Sequence, residues 1–356
     1  MIRIEEADLN KTKTLYKTEE IKVYSAKVEF NFMNVCVKKT KTEDCLVASN
    51  AFQEALSLAT FSHPNVVKIY QSFLNGSGSE VESFSIVMEL FELGNLSKLI
   101  KMRQKSGEKW SEATLLFYCN QLIGALAFLQ EMNCAHRDIK PENILVGSSG
   151  KILKISDFGD SIKVVRSSMS LKGTANYLSP ILRDAYNRNQ GDQIETVHHN
   201  PFKSDVFSLG LVILYMATFK DPTIFKKVKT LKEDLDECIK SLGREYNNLK
   251  IILRALLSYD ENTRPDFLEL REQMLITHSY NDLNFCTKCQ NYLISTNFIQ
   301  IYDTLYCPTC EQETKSNTHK CSECQKKKGF SEVYIFENKV YCKECLNIKS
   351  LNTLPL

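Results

Sequence analysis

Two short polar motifs, each enclosed by apolar residues, constrain the fold of this chain more than any other feature. The first is CAHRDIKPENIL at 134–145, and the second is ISDFGDS at 155–161, which follows two short predicted strands. Either motif alone is weakly specific. Together, with Asn143 shortly after Asp138 and with Asp157 beyond the predicted strands, they are restrictive in both order and spacing.

The pattern of apolar residues divides the chain ahead of its tail into two parts. From about 12 to 92, short alternating runs such as IKVYSAKVEF and FSIVMELF predict strands, interrupted by one amphipathic helical stretch, NAFQEALSLA. From about 95 to 276, apolar residues recur at helical spacing, as in EATLLFYCNQLIGALAFLQEM. The sequence therefore predicts an α+β fold in which a small β-rich lobe precedes a larger helical lobe.

With these motifs in this order, the chain resembles the protein kinases over residues 11–277. The resemblance implies a bilobal kinase fold, with an N-lobe at about 11–90 and a C-lobe at about 91–277. A polar stretch at about 184–200 is expected to be a mobile insertion before the next helix. Asp205 in that helix resembles the buried aspartate that anchors the catalytic loop of kinases.

The resemblance assigns the chemistry to four residues. Asp138 would accept the proton of the substrate hydroxyl, while Asn143 and Asp157 would hold magnesium between the nucleotide phosphates. Lys140 resembles the lysine that serine/threonine kinases direct at the transferred phosphate, a position where tyrosine kinases usually differ. The expected activity is transfer of the γ-phosphate of ATP to a serine or threonine hydroxyl of a protein, with ATP and Mg²⁺ as cofactors.

Lys38, at the end of the run VCVK, is the expected phosphate-binding lysine. Cys36 lies two residues earlier and so faces the same side of the strand, where it would touch the adenine ring. The ion-pair partner of Lys38 is expected to be Glu54 on the small-lobe helix. Lys39 is the alternative to Lys38, because a one-residue shift in register would exchange the two faces of the strand.

The segment VMELFELGNL at 87–96 resembles the connection between the two lobes of a kinase. Backbone groups near Glu89 and Phe91 would bind adenine, and Met88 would limit access to the pocket behind it. The resemblance assigns three further residues to the nucleotide site, namely Thr18, Val23 and Leu145.

The first departure from the kinase pattern is the absence of glycine from the nucleotide loop. Gly76 is the first glycine of the chain, and Tyr16, Thr18 and Ile21 occupy the positions where the three loop glycines belong. Backbone N–H donors remain, but close approach to phosphate and the backbone freedom of glycine are lost. If two charge-assisted hydrogen bonds are weakened, the rate is expected to fall about 10²- to 10⁴-fold rather than to zero.

The second departure lies in GTANYLSPIL at 173–182, which resembles the substrate-docking end of a kinase activation segment. Ile181 replaces the usual glutamate, which normally pairs with an arginine that is retained here as Arg264. An unpaired buried guanidinium is costly. We therefore expect either that Asp184 takes over the ion pair or that Arg264 is solvated.

The tail contains eight of the 13 cysteines, all in C-x₂-C pairs. Residues 286–310 and 321–345 share the spacing C-x₂-C-x₁₇-C-x₂-C, and each resembles a zinc ribbon with a β-hairpin between its two pairs. Segments this small lack a core of their own, so structural zinc is favoured over redox pairs or disulfides. We predict a Cys-rich zinc-binding β-hairpin module at 284–347 with two structural Zn²⁺ sites. The expected ligands are Cys286, Cys289, Cys307, Cys310, Cys321, Cys324, Cys342 and Cys345.

Pairing of the cysteine knuckles is open at the level of sequence. The two repeats have equal length, which favours pairing of the two knuckles within each repeat. Cross-braced pairing, in which the first knuckle joins the third as in RING and FYVE-like domains, is the alternative.

Charge and composition bear mainly on what the protein is not expected to bind. The net charge is +2, which gives no argument for a nucleic acid or an anionic membrane. The start, MIRIEEADLN, lacks a signal-peptide pattern, and the longest apolar stretch, at 207–219, is too short to span a bilayer. We therefore expect an intracellular protein, cytoplasmic with the nucleus as the alternative. Its expected partners are a protein substrate and a protein that binds the tail.

Three classes of function fit these observations. The first is an active serine/threonine kinase, favoured because every charged catalytic position is retained. The second is a pseudokinase scaffold that binds nucleotide weakly, which the missing glycines favour. The third is an adaptor or ubiquitin-linked protein in which the zinc module is the main functional part.

Overall fold

The computed structural model describes most of the chain up to residue 277 and short strand segments after it. The described ranges are 8–29, 33–41, 61–77, 80–147, 150–164, 168–170, 173–188, 196–225, 227–277, 284–285, 292–293, 299–301, 304–306, 319–320, 327–328, 333–336 and 339–342. The predicted helix NAFQEALSLA, with Glu54, lies outside these residues. The chain divides into two units, Met1–Thr277 and His278–Leu356.

An antiparallel five-stranded sheet forms the N-lobe, in the order β1-β2-β3-β5-β4. Its strands are β1 (Leu9–Lys17), β2 (Ile21–Val28), β3 (Asn34–Lys41), β4 (Ile69–Ser77) and β5 (Glu80–Glu89). Alternation places apolar side chains of β2, β3 and β5 on one face, where they form a buried cluster. The cluster consists of Tyr24, Ala26, Val28, Val35, Val37 and Val87. The opposite face of β2 and β3 carries Val23, Cys36 and Lys38.

The sequence pattern does not predict strand β1. Nearly all of its residues, LNKTKTLYK, are exposed, because it is an edge strand that pairs only with β2. A strand without a buried face needs no alternation of polar and apolar residues, so its sequence lacks the usual signal.

The C-lobe is built from helices that bury one another. The described helices are α1 (Leu96–Ser106), α2 (Glu112–Glu131), α3 (Pro180–Arg188), α4 (Pro201–Thr218), α5 (Leu231–Lys240), α6 (Asn247–Leu256) and α7 (Phe267–Thr277). Helix α2 begins at a cap where the Ser111 hydroxyl accepts a hydrogen bond from the backbone N–H of Thr114 at 3.2 Å. By length and composition α2 could cross a membrane, but 72% of its apolar window is buried inside the protein. This burial is what a core helix requires.

Two short antiparallel strand pairs carry the polar motifs. Strand β6 (Cys134–Ala135) pairs with β9 (Ile162–Lys163), and β7 (Ile144–Val146) pairs with β8 (Leu153–Ile155). His136, Arg137 and Asp138 follow β6 directly, and a single residue, Ser156, separates Asp157 from β8. The strand pairing therefore fixes where both motifs begin.

Backbone hydrogen bonds join β8 to the N-lobe segment that leads into β4. The N–H of Ile155 donates to the carbonyl of Asn65 at 2.8 Å, and the N–H of Val67 donates to the carbonyl of Ile155 at 2.9 Å. The strand that precedes Asp157 is therefore attached to both lobes.

The stretch 184–200 is ordered at both of its described ends. Residues 184–188 complete helix α3, and β11 (Thr196–His198) pairs with β10 (Ser168–Ser170). Ala185 and Val197 are buried against Leu178 and Leu182. Residues 189–195 lie outside the described part of the chain, and the expected mobility of the stretch stays a prediction.

In the second unit, the described strands repeat at the spacing of the cysteine pattern. The first repeat contains β12 (Asn284–Phe285), β13 (Tyr292–Leu293), β14 (Ile299–Ile301) and β15 (Thr304–Tyr306). The second contains β16 (His319–Lys320), β17 (Lys327–Lys328), β18 (Val333–Phe336) and β19 (Lys339–Cys342). Each repeat forms two antiparallel pairs. Apart from the backbone of Cys342, the predicted zinc ligands lie outside the described residues.

Candidate active site

The loop that carries His136, Arg137 and Asp138 is held by Asp205 of helix α4. Its carboxylate accepts hydrogen bonds from the backbone N–H groups of His136 and Arg137, both at 2.8 Å. Arg137 adopts a left-handed backbone conformation with φ of 71°, which is rare for a non-glycine residue. The buried carboxylate stabilises this unusual turn and so fixes the start of the loop.

Asp138 lies at the centre of a polar cluster. Its Oδ1 accepts hydrogen bonds from Thr174, at 2.7 Å from the hydroxyl and 3.1 Å from the backbone N–H, while its Oδ2 lies 2.7 Å from Lys140 Nζ. Asn143 Nδ2 donates to the same Oδ2 at 2.9 Å and to the Asp138 carbonyl at 2.8 Å. Burial raises the pKa of Asp138, but hydrogen bonds and positive charge from these neighbours outweigh it and hold the pKa below its usual range. Asp138 is therefore ionised at neutral pH.

The second carboxylate of the site, Asp157, lies against the lysine of strand β3. Lys38 Nζ is 2.5 Å from Asp157 Oδ1, and both side chains are partly exposed. Asp157 has φ of 61°, so it too is held in the left-handed region. Lys39 is paired in register with Lys22 and faces the other side of the sheet. The structure thus brings Lys38, rather than Lys39, to the catalytic carboxylate.

Three of the predicted nucleotide-binding residues, Val23, Cys36 and Met88, lie on the same face of the sheet as Lys38. Val23 pairs in register with Lys38, and Cys36 pairs with both Ser25 and Met88. Burial raises the pKa of the Cys36 thiol to about 11, so this cysteine is an apolar surface rather than a nucleophile. Leu145 of the C-lobe is half-buried in β7.

The lobe connection contains an ion pair that the sequence pattern does not indicate. Lys154 of β8 is 5% exposed, and its Nζ lies 2.7 and 3.0 Å from the two carboxylate oxygens of Glu89. The ammonium also lies 5.7 Å from the centre of the Phe91 ring. Lys154 was missed because a lysine in a three-residue strand resembles a solvated position; the buried residues on both sides of it were the only available signal.

The glycine-free loop between β1 and β2 is a closed turn. The N–H of Thr18 donates to the carbonyl of Ile21 at 2.8 Å, and the N–H of Ile21 donates to the Thr18 hydroxyl at 2.9 Å. Two of the backbone donors expected to remain free for phosphate are therefore used inside the turn. Tyr16, which pairs in register with Val23, is 56% exposed.

Comparison with known proteins agrees with this geometry. The family model of the protein kinase domain matches residues 18–280, well over half of the chain. The chain belongs to the protein kinase family. The kinase domain has the β-sheet N-lobe and helical C-lobe that the sequence predicts.

Several serine/threonine kinases are similar to this chain. It is 26% identical over 264 residues to probable serine/threonine-protein kinase nek1 of Dictyostelium discoideum, covering 68% of this chain and 50% of the relative. It is 29% identical to serine/threonine-protein kinase nekl-2 of Caenorhabditis elegans, covering 64% of this chain and 62% of the relative. It is 31% identical to human mitogen-activated protein kinase kinase kinase 5, covering 56% of this chain and 14% of the relative. The chain thus spans less than two thirds of the length of each of these relatives.

Neither expectation for Arg264, an ion pair with Asp184 or exposure to solvent, is met in the structure. Arg264 is 1% exposed, so it is not solvated, and Asp184 pairs instead with Arg188 on its own helix at 3.3 Å. Arg264 donates to the backbone carbonyls of three residues at 2.8–3.1 Å, and its guanidinium lies 4.9 Å from the centre of the Phe207 ring. The three residues are Lys203, Ser258 and Tyr259. Backbone carbonyls and an aromatic face replace the missing carboxylate.

The residues of the kinase cleft fit Mg·ATP. The carboxylate of Asp157 is partly exposed, and Asn143 uses its Nδ2 toward Asp138, which leaves its side-chain carbonyl oxygen as an acceptor. Such oxygens are the ligands that Mg²⁺ prefers, and Lys38 supplies positive charge beside them. Within the described residues, no group of three or more His, Cys, Asp and Glu side chains forms another candidate metal site.

Proposed function

We propose that this chain is an active serine/threonine kinase that transfers the γ-phosphate of Mg·ATP to a hydroxyl of a protein substrate. The observation that carries the proposal is the cluster of Asp138, Lys140 and Thr174, in which an ionised carboxylate and a lysine share one hydroxyl partner at 2.7 Å each. A substrate hydroxyl that displaces the Thr174 hydroxyl would meet a proton acceptor and a positive charge at the same point.

Each charged residue of the cleft has a role in this proposal. Asp138 orients the substrate hydroxyl and accepts its proton, and Lys140 stabilises the negative charge that develops on the transferred group. Lys38 orients the nucleotide phosphates. Bound magnesium would neutralise phosphate charge, with Asn143 and Asp157 as its protein ligands.

The test is phosphate transfer from Mg·ATP to the protein itself and to histone as a generic basic substrate. Asp138→Asn keeps the shape of the side chain but removes the proton acceptor, so we expect the rate to fall about 10²- to 10⁴-fold. Asp184→Asn, which changes an exposed carboxylate of helix α3, is the matched control and should leave the rate unchanged. Equal rates for wild type and Asp138→Asn would contradict the proposal.

A pseudokinase scaffold is the second candidate, and the closed Thr18–Ile21 turn favours it. That turn leaves fewer donors for phosphate than a glycine loop would. Mg·ATP binding by the wild type without any phosphate transfer would establish the scaffold instead of the enzyme.

We further propose that the tail binds two structural zinc ions, each held by one repeat. Two strand adjacencies support pairing within a repeat: β12 lies beside β15, and β16 lies beside β19. Each of these strands is followed at once by a C-x₂-C knuckle or ends on its first cysteine. We propose that this tail is a protein-binding or regulatory module.

We also propose an intracellular location, cytoplasmic with the nucleus as the alternative.

A further inference from the structure

Arg183 of helix α3 is a buried cation that none of the chemistry described so far uses. It is 5% exposed, and its pKa is lowered to about 10 by burial. Its two terminal nitrogens donate to backbone carbonyls, that of Phe225 at 2.5 Å and that of Asn176 at 2.7 Å. Within the described part of the chain, its Nε has no hydrogen-bond partner. A cation held in this way is costly, so its retention calls for a specific role.

We propose that Arg183 is the positioning residue of the substrate-docking segment, defined here as residues 174–179, and that it anchors this segment in place of the absent glutamate at position 181. The proposal rests on the proposed kinase function. It adds to that function the residue that sets how a protein substrate is seated.

The docking segment runs directly from the catalytic carboxylate to the contact with Arg183. Thr174 donates a hydrogen bond to Asp138 at one end. Two residues later, the carbonyl of Asn176 accepts a hydrogen bond from Arg183. Helix α4 holds the next residues, since the Ser208 hydroxyl donates to the Tyr177 carbonyl at 2.7 Å. A shift of the segment at Asn176 would therefore displace Thr174, and with it the point where the substrate hydroxyl must bind.

Residue 181 itself cannot supply this anchor. Ile181 is 37% exposed and lies at the start of α3, while Arg264 is satisfied by carbonyls away from the segment. Arg183 instead joins the segment to the turn at Pro222–Ile224, because its second acceptor is the adjoining Phe225 carbonyl. Both ends of this link are backbone carbonyls, and the planar, forked guanidinium presents a separate nitrogen to each of them.

The experiment measures steady-state phosphorylation of histone by the full chain, with the KM for histone and the KM for ATP determined separately. Arg183→Lys keeps the charge but lacks the two separate terminal nitrogens, and Arg183→Met removes both hydrogen bonds. We expect the KM for histone to rise about tenfold in Arg183→Met and less in Arg183→Lys, with the KM for ATP unchanged within about twofold. Arg188→Met, on the exposed side of the same helix, is the control and should change neither constant.

Two outcomes would overturn the inference while leaving the kinase function intact. One is an unchanged KM for histone in both Arg183 variants. The other is loss of Mg·ATP binding in parallel with phosphate transfer in both variants, which would show that Arg183 supports the whole lobe rather than the docking segment. Absence of transfer by the wild type would instead count against the proposed function itself.

Discussion

At the scale of single residues, charged side chains link the segments of the chain that surround the cleft. Lys154 and Glu89 illustrate this, because their ion pair joins the strand that precedes Asp157 to the connection between the lobes. The N–H of Glu89 also donates to the carbonyl of Lys68 at 3.0 Å. The side chain and the backbone N–H of Glu89 are therefore both used in contacts that hold the lobe connection in place.

Replacing both partners of this pair is expected to cost less stability than the sum of the two single replacements. Glu89→Gln leaves the buried ammonium of Lys154 without its counter-charge, which should destabilise the kinase unit by about 3 kcal/mol and raise the KM for ATP. The double variant Glu89→Gln/Lys154→Met removes the unpaired charge of Lys154. Its loss of unfolding free energy should be smaller than the sum of the losses in the two single variants. Thermal unfolding of the four proteins checks this, and additive losses would show that the pair is not coupled.

At the scale of elements, the β1–β2 turn is where this kinase departs most from its family. A glycine loop leaves backbone donors free for phosphate, whereas Thr18 and Ile21 use theirs within the turn. The hydroxyl of Thr18 is the acceptor that closes it. The turn thus has fewer free backbone donors than a glycine loop would have.

Opening this turn should increase catalysis. Thr18→Gly removes the acceptor for the Ile21 N–H and restores backbone freedom, so we expect kcat/KM for ATP to rise about tenfold. Thr14→Gly makes the same change within the paired part of β1 and serves as the control. If the two variants behave alike, the effect belongs to strand flexibility and not to the phosphate donors.

At the scale of the whole molecule, the chain consists of two units with different requirements for folding. The kinase unit buries a large apolar core, whereas each 25-residue repeat of the tail has too few residues to do so. The proposed zinc sites would supply stability on the order of 10–16 kcal/mol for each structural zinc.

Zinc content can distinguish the two ways of pairing the knuckles. We expect two zinc ions per chain by elemental analysis, and one in the double variant Cys286→Ser/Cys307→Ser, because pairing within a repeat places both residues in a single site. Cross-braced pairing places them in different sites, so that variant would lose both ions. Cys36→Ser in the kinase unit should retain two, and a wild type without zinc would contradict the proposal for the tail.

Much of the active site could be predicted from the sequence because its residues are tied to short local motifs. Asp138, Asn143 and Asp157 follow short strands at fixed spacing, and the two-residue period of a strand places Lys38 and Cys36 on one face. The anchoring of the docking segment could not be predicted in this way. Arg183 and Lys154 reach partners 42 and 65 residues away in the chain, and no local pattern encodes those contacts.

By itself, the sequence determined the two lobes, the catalytic loop and the choice of charged residues, since periodicity and spacing are local properties of the chain. Only the tertiary structure decided which carbonyls accept hydrogen bonds from Arg264 and Arg183, and that Lys154 pairs with Glu89. The physical reason is that burial and hydrogen-bond satisfaction depend on which groups meet in space. A buried cation accepts any well-placed oxygen, and backbone oxygens carry no signal in the sequence.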